Sequence, residues 1–224
     1  MKYILFTLFV CINYVNAQNL SRVWVKSLNE TTVRWGEQDY LKLDSDGNII
    51  VGAFARIPSY IDTVSVNGGF IAKFTPDGQL IWCIKSDSTL NLDPKFFEID
   101  INNNVYVFSG IDYNLDFITT ALIKLNSNGE KQWVKTFKYK NSGFFYESEM
   151  VSLEIRELEK IYLAWYLDIA YLVLPSGDTL HASNKYHILE FDTNGTITGN
   201  FTPIEQCVLN DYKLMKIITI ITYQ

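Results

Sequence analysis

The sequence predicts an all-β fold built from repeated antiparallel units, and three observations carry that expectation. One pattern returns every 56 residues: LKLDSDGNIIVG from Leu41, FEIDINNNVYVF from Phe97, LEIRELEKIYLA from Leu153 and LNDYKLMKIITI from Leu209. The apolar residue after each turn falls at Ile49, Val105, Ile161 and Ile217. A second pattern interleaves with the first, as FIAKFTPDGQLIWCIK (70–85), ALIKLNSNGEKQWVKTF (121–137) and HILEFDTNGTITGNF (187–201). Finally, the runs flanking the turns are short, alternating and rich in β-branched and aromatic residues, and no segment keeps a convincing helical period.

The elements follow in chain order. Residues 1–17 read as a signal peptide: Lys2, an apolar run from Tyr3 to Ile12, then Val15-Asn16-Ala17, with cleavage before Gln18. The run is shorter than the roughly 20 apolar residues a membrane span needs. Lipid attachment at Cys11 is the rival, against which Leu8-Phe9-Val10 are too bulky. The expected product is secreted or cell-surface, with no membrane span. RVWVKSL (22–28) matches the last strand of the later units, since Trp24-Val25-Lys26 parallels Trp133-Val134-Lys135.

Each half-repeat reads as a hairpin closed by an Asp/Asn-Gly turn, where glycine takes positive φ without steric cost. The turn glycines of the second pattern are Gly78, Gly129 and Gly195; Trp82 and Trp133 follow four residues later, and Gly199 replaces the third tryptophan. EIRELEK (154–160) has helical propensity, but its place in the repeat makes it a hairpin. One unit is therefore four antiparallel strands, A to D. Units cover about 38–85, 96–137 and 148–201, with a half unit over 205–224. Four strands in roughly 50 residues is the dimension of a propeller blade, so the expected architecture is a partial β-propeller of about three and a half blades.

The phrase DGNIIVGAF…GGFIAKFTPDGQLIWCIK, between Asp46 and Lys85, resembles the SBBP-type β-propeller repeat of secreted bacterial proteins. The match spans nearly all of the chain after the signal peptide and fades in the third unit. Such proteins often belong to the Bacteroidetes and carry a type IX sorting domain, which this sequence does not show. The resemblance implies architecture and export, not a particular ligand. Three and a half blades do not close a ring. The chain is then a piece of a longer protein, completes the ring with a second chain, or forms an open array that a partner covers.

A net charge of −6 and no basic cluster argue against nucleic acid. Cys83 and Cys207 allow one bridge; Cys83, inside an apolar strand pattern, reads better as a free thiol. Asp44-Ser45-Asp46-Gly47-Asn48 looks like the start of a calcium loop, yet Ala55 holds the twelfth position, so the stretch reads as a turn. His181 and His187 have no carboxylate at metal-ligand spacing, and no catalytic signature motif occurs. Neither a metal nor a cofactor is expected. The periodic tryptophans read as packing residues.

The A–B and C–D turns are tight, so any function is expected at the opposite end. There, longer connections are expected over 55–68, 86–95, 110–118, 138–147, 168–184 and 202–206. The candidate ligand-binding residues are Tyr60, Asp62, Asp87, Asp112, Tyr113, Asp116, Phe144 and Tyr146, aromatics and carboxylates suited to a sugar or peptide. The leading expectation is an interaction module for extracellular glycan or protein. Its rival is a polysaccharide-active enzyme using Asp87, Asp112 and Asp116, which then must lie within about 10 Å of each other. Asp62-Thr63-Val64, Asp87-Ser88-Thr89 and Asp178-Thr179-Leu180 resemble O-glycosylation sites of exported Bacteroidetes proteins, pointing to Thr63, Ser88 and Thr179.

Overall fold

The computed structural model describes residues 33–34, 41–87, 92–113, 117–140, 148–156, 159–167, 171–181 and 185–201. The expected signal peptide (1–17), the 22–28 segment and the expected half unit over 205–224 lie outside these residues. Within them the chain is all-β, in three open antiparallel sheets. The first holds β1 (Val33–Arg34), β2 (Leu41–Leu43), β3 (Ile49–Ile61), β4 (Val64–Phe74) and β5 (Leu80–Lys85). The second is built on β6 (Asp93–Ile99), β7 (Val105–Tyr113), β8 (Phe117–Leu125) and β9 (Lys131–Lys140). The third begins with β10 (Ser148–Arg156) and β11 (Lys160–Leu167). The chain then leaves it for a short hairpin, β12 (Tyr171–Val173) and β13 (Thr179–His181), and returns as β14 (Lys185–Phe191) and β15 (Ile197–Phe201).

The 56-residue period is a structural period. Ile49, Val105 and Ile161 lie at the start of β3, β7 and β11, all essentially buried. EIRELEK falls in the β10–β11 pair, with Ile155 opposite Ile161 and Arg156 opposite Lys160. Burying Leu153, Ile161 and Leu163 outweighs the small helical preference of the Glu and Lys residues between them.

One five-residue turn is used six times among the described residues. The first residue donates its N–H to the carbonyl of the fifth, and the fourth donates to the carbonyl of the first. This holds at 44–48, 75–79, 100–104, 126–130, 174–178 and 192–196. The fourth residue has positive φ and is glycine in every case except Asn103, an amino acid that tolerates this region. Where the first residue is Asp or Asn, its side chain accepts the N–H groups of the third and fifth, so the turn is stabilised by local contacts alone.

Two expected connections are strands instead. The stretch 55–68 is one of the longer connections expected from the repeat. It continues β3 and β4 to a two-residue turn at Asp62-Thr63, and a register shift between Ala55 and Ser59 absorbs Pro58. The stretch 110–118 is likewise strand up to Tyr113 and from Phe117. Residues 168–184, expected as a B–C loop of the third unit, contain the β12–β13 hairpin. It adds to the second sheet, with Leu172 opposite Tyr139 and Val173 opposite Lys138. Leu172 is fully buried in the core shared by the second and third sheets, and this burial holds the hairpin there.

The sheets stack face to face. Ile50 and Ile71 of the first meet Phe97, Val107 and Ile123 of the second. Phe108, Leu122 and Phe137 of the second meet Leu163, Trp165 and Phe191 of the third. A third cluster, with Ala53, Phe70 and Ala72, lies on the far face of the first sheet.

A tryptophan clasp joins each pair of sheets. Trp82 donates its indole N–H to the Ser127 carbonyl (3.0 Å), and Trp133 donates to Thr193 (3.1 Å), each in the next sheet's C–D turn. Lys73 and Lys124 reach the same two carbonyls. Each indole lies flat enough on the turn glycine that a Cβ at Gly129 or Gly195 would approach the ring within 2.8 or 3.1 Å. Trp82 and Trp133 are thus inter-sheet packing residues. The A–B turns are stitched as well: Asn103 accepts from Ser45 and donates to Asp46, and Asn102 donates to Glu159.

The third sheet departs from this pattern at several positions at once. Gly199 stands in the register of Trp82 and Trp133, Glu190 in that of Lys73 and Lys124, and Arg156 in that of Asp44 and Asp100. In place of the Lys73–Asp44 pair (2.7 Å), Glu190 pairs with Lys160 (2.6 Å), which stands in the register of Asn48 and Asn104.

Candidate functional site

The most exposed candidate lies on an arm of the first sheet. β2 pairs with β3 only at Ile49–Val51, and β1 only at Phe54 and Ala55. β5 pairs with β4 only from Phe70 to Phe74. Among the described residues, Ser59–Val66 is therefore paired only with itself. Alternation gives the arm two unlike faces: Ser59, Ile61 and Val66 are buried, whereas Tyr60 is 63% exposed, with Ser65 opposite it and also exposed. Ile57 adds a second exposed apolar side chain.

Asp62 and Thr63 form the exposed tip, and Asp62 is held at φ +51°. That is the first central position of a two-residue hairpin turn, where glycine adopts positive φ most easily. Asp62→Gly is expected to raise stability by about 0.5–1 kcal/mol, measured by urea unfolding. A lowered midpoint would show that the Asp62 side chain stabilises the tip more than its backbone strains it.

The other candidates lie on other elements or outside the described residues. Asp87 is exposed just after β5. Asp112 and Tyr113 end β7, opposite Thr119 and Ile118, and only their backbone is described. Asp116, Phe144, Tyr146 and Ser88 lie outside the described residues. Thr179 is exposed at the start of β13, just past the 174–178 turn. Tyr60, Asp62 and Thr63 are thus brought together on one hairpin. Composition drew attention to Tyr60 and Asp62 but not to Ile57, whose exposure follows from the irregularity between Ala55 and Ser59.

No protein-family model matches the sequence, and no curated protein matches it. The resemblance to the SBBP repeat rests on the quoted residues alone.

Among the described residues, no group of three or more His, Cys, Asp or Glu side chains could hold a metal ion. No helix there is long and apolar enough to cross a membrane. Asp44, first residue of the calcium-like stretch, is committed to structure. Its carboxylate accepts the N–H groups of Asp46 and Asn48 and the Asn48 amide, and pairs with the buried Lys73 ammonium. Burial alone would raise its pKa. The hydrogen bonds from Lys73 and Asn48 outweigh that and hold it below the usual carboxylate range.

A lowered folded pKa means that Asp44 contributes full stability above the unfolded value. That contribution is lost as the pH falls through the folded one. Asp44→Asn is therefore expected to destabilise most at pH 7, with the gap to wild type closing toward pH 3. A gap that stays constant with pH, measured by urea unfolding, would refute the assignment.

Elsewhere the unusual groups are explained by burial. Cys83 is a free, half-buried thiol pushed up to about 11, chiefly by desolvation. Tyr162 is pushed up to about 12 by burial and by its bond to Glu190. His187 is buried on β14 opposite Trp165.

Proposed function

We propose that the chain is an extracellular interaction module of β-propeller type, its three sheets being successive blades, which binds a glycan or a protein through the arm end. The observation that carries this reading is the Ser59–Val66 arm. An exposed tyrosine beside an exposed Asp-Thr tip, on a hairpin whose other face is buried, is a platform on which a sugar ring or a peptide can stack and accept polar contacts. The repeated turn, the stacked sheets and the inter-sheet tryptophans support the propeller architecture. Export with removal of residues 1–17 is part of the proposal, and the secreted protein should begin at Gln18 on N-terminal sequencing. So is carbohydrate on Thr63 and Thr179, both exposed beside tight turns.

The test is binding of the full chain to an array of glycans and purified surface proteins, repeated with Tyr60→Ala. The expected result is a hit that weakens at least tenfold in the variant while the urea midpoint stays put. Silence across the array, or a hit indifferent to Tyr60, overturns the reading.

A further inference from the structure

A hairpin arm can hold a partner in two ways. An extended peptide adds to one of its edges through backbone hydrogen bonds, or a ligand lies on its exposed face and meets side chains. On the Ser59–Val66 arm the edges are poor. Lys85 of β5 lies opposite Phe70, and its ammonium reaches along the sheet to donate to the Ser65 carbonyl at 2.7 Å. An added strand on the β4 side would need that acceptor and would have to bury the lysine charge beside it. On the β3 side Pro58 has no N–H to give, and the Ile57 carbonyl already accepts from the Ser59 hydroxyl at 3.2 Å. Only Ser59–Ile61 then remains before the turn. Alternate residues of a strand point their N–H and C=O groups outward, so this stretch offers a peptide little more than one residue.

The exposed face offers more. Tyr60 is 63% exposed, with Ser65 exposed directly opposite. Asn67, two residues further along β4 and so on the same face, is exposed as well. A hydroxyl and an amide both donate and accept hydrogen bonds, and neither carries a charge. A pyranose matches that set, with a face of C–H groups for the aromatic ring and hydroxyls for the polar neighbours. We propose that the ligand of the arm is a saccharide, one ring stacked on Tyr60 and its hydroxyls bonded to Ser65 and Asn67, and that Lys85 is the positioning residue that shuts the arm to extended peptides. This rests on the arm being the binding site.

The test is an array carrying both oligosaccharides and unstructured peptides, among them a synthetic copy of residues 59–66. It is probed with the full chain and with Tyr60→Ala, Asn67→Ala and Lys85→Met, each checked for an unchanged urea midpoint. Hits are expected among the saccharides alone, weakened roughly tenfold or more in Tyr60→Ala and about fivefold in Asn67→Ala, the loss of one hydrogen bond. Lys85→Met is expected to gain peptide binding that the wild type lacks. Peptide hits that depend on Tyr60, with none among the saccharides, overturn this inference and leave the arm as the binding site. Silence, or hits indifferent to Tyr60, overturn both. A folded Lys85→Met chain that binds no peptide overturns the role given to Lys85, and Lys85→Gln takes its place if the methionine variant does not fold.

Discussion

Trp165→Ala is expected to cost about 4 kcal/mol, enough to unfold a domain of ordinary stability at moderate urea. Trp165 is almost fully buried on β11, in the layer between the second and third sheets. Its indole meets Phe108 edge-on at 5.2 Å, Phe137 at 5.4 Å and Tyr139 at 5.9 Å. Truncation removes a side chain that touches all three rings, and sheets held by many partners cannot collapse to fill the space. Trp165→Phe separates packing from polarity. The buried Trp165 Nε1 has no hydrogen-bond partner among the described residues, so phenylalanine loses area but also relieves an unsatisfied donor. A cost of only about 1 kcal/mol is expected. At Trp133, whose indole bonds to Thr193, the same change forfeits a hydrogen bond and is expected to cost more. Equal urea midpoints for the two phenylalanine variants would refute this distinction.

Gly69→Ala is expected to be nearly as severe, about 3 kcal/mol or more, for a different reason. A Cβ on Gly69 would fall on the Leu92 carbonyl, a backbone group that cannot swing away. That carbonyl accepts the Gly69 N–H (3.0 Å), and Ser86 donates its N–H to the Gly69 carbonyl (2.8 Å). The Ser86 hydroxyl in turn accepts the Leu92 N–H (2.9 Å). The first sheet is tied here to the strand entering the second. Ser86→Ala removes only the side-chain bonds and is expected to cost about 1–2 kcal/mol. If Gly69→Ala proves no worse than Ser86→Ala by urea unfolding, the close backbone approach is not what holds this corner.

The sequence was most legible where local chemistry and the repeat agree. Asp44, Asp100, Asn126 and Asp192 announce their turns, because each carries the acceptor that the turn's own N–H groups require. Register was legible at Ile49, Val105 and Ile161, since a one-residue slip would turn each out of the core. The arm was not legible, because the repeat marks where strands begin and not where they end, and Pro58, Gly68 and Gly69 interrupt the strand pattern. Here the first sits at an irregularity and the second and third at close approaches. The β12–β13 hairpin was written plainly enough: Leu174-Pro175-Ser176-Gly177-Asp178 is the same turn as Thr75–Gln79. What the repeat could not reveal was its partner, β9, which belongs to the preceding unit. The candidate residues were only partly legible, since exposure such as that of Tyr60 depends on where neighbouring strands stop.

The displaced hairpin has an evolutionary consequence. Tandem units spread by duplication and loss of whole copies, which works when each copy is self-contained. Here the segment around Leu172 is encoded with the third copy and seated on the second. Deleting either copy alone would strand half of a pairing, and inserting a new copy between them would pull the hairpin from its seat. The second and third units are therefore less independent than their matching sequences suggest.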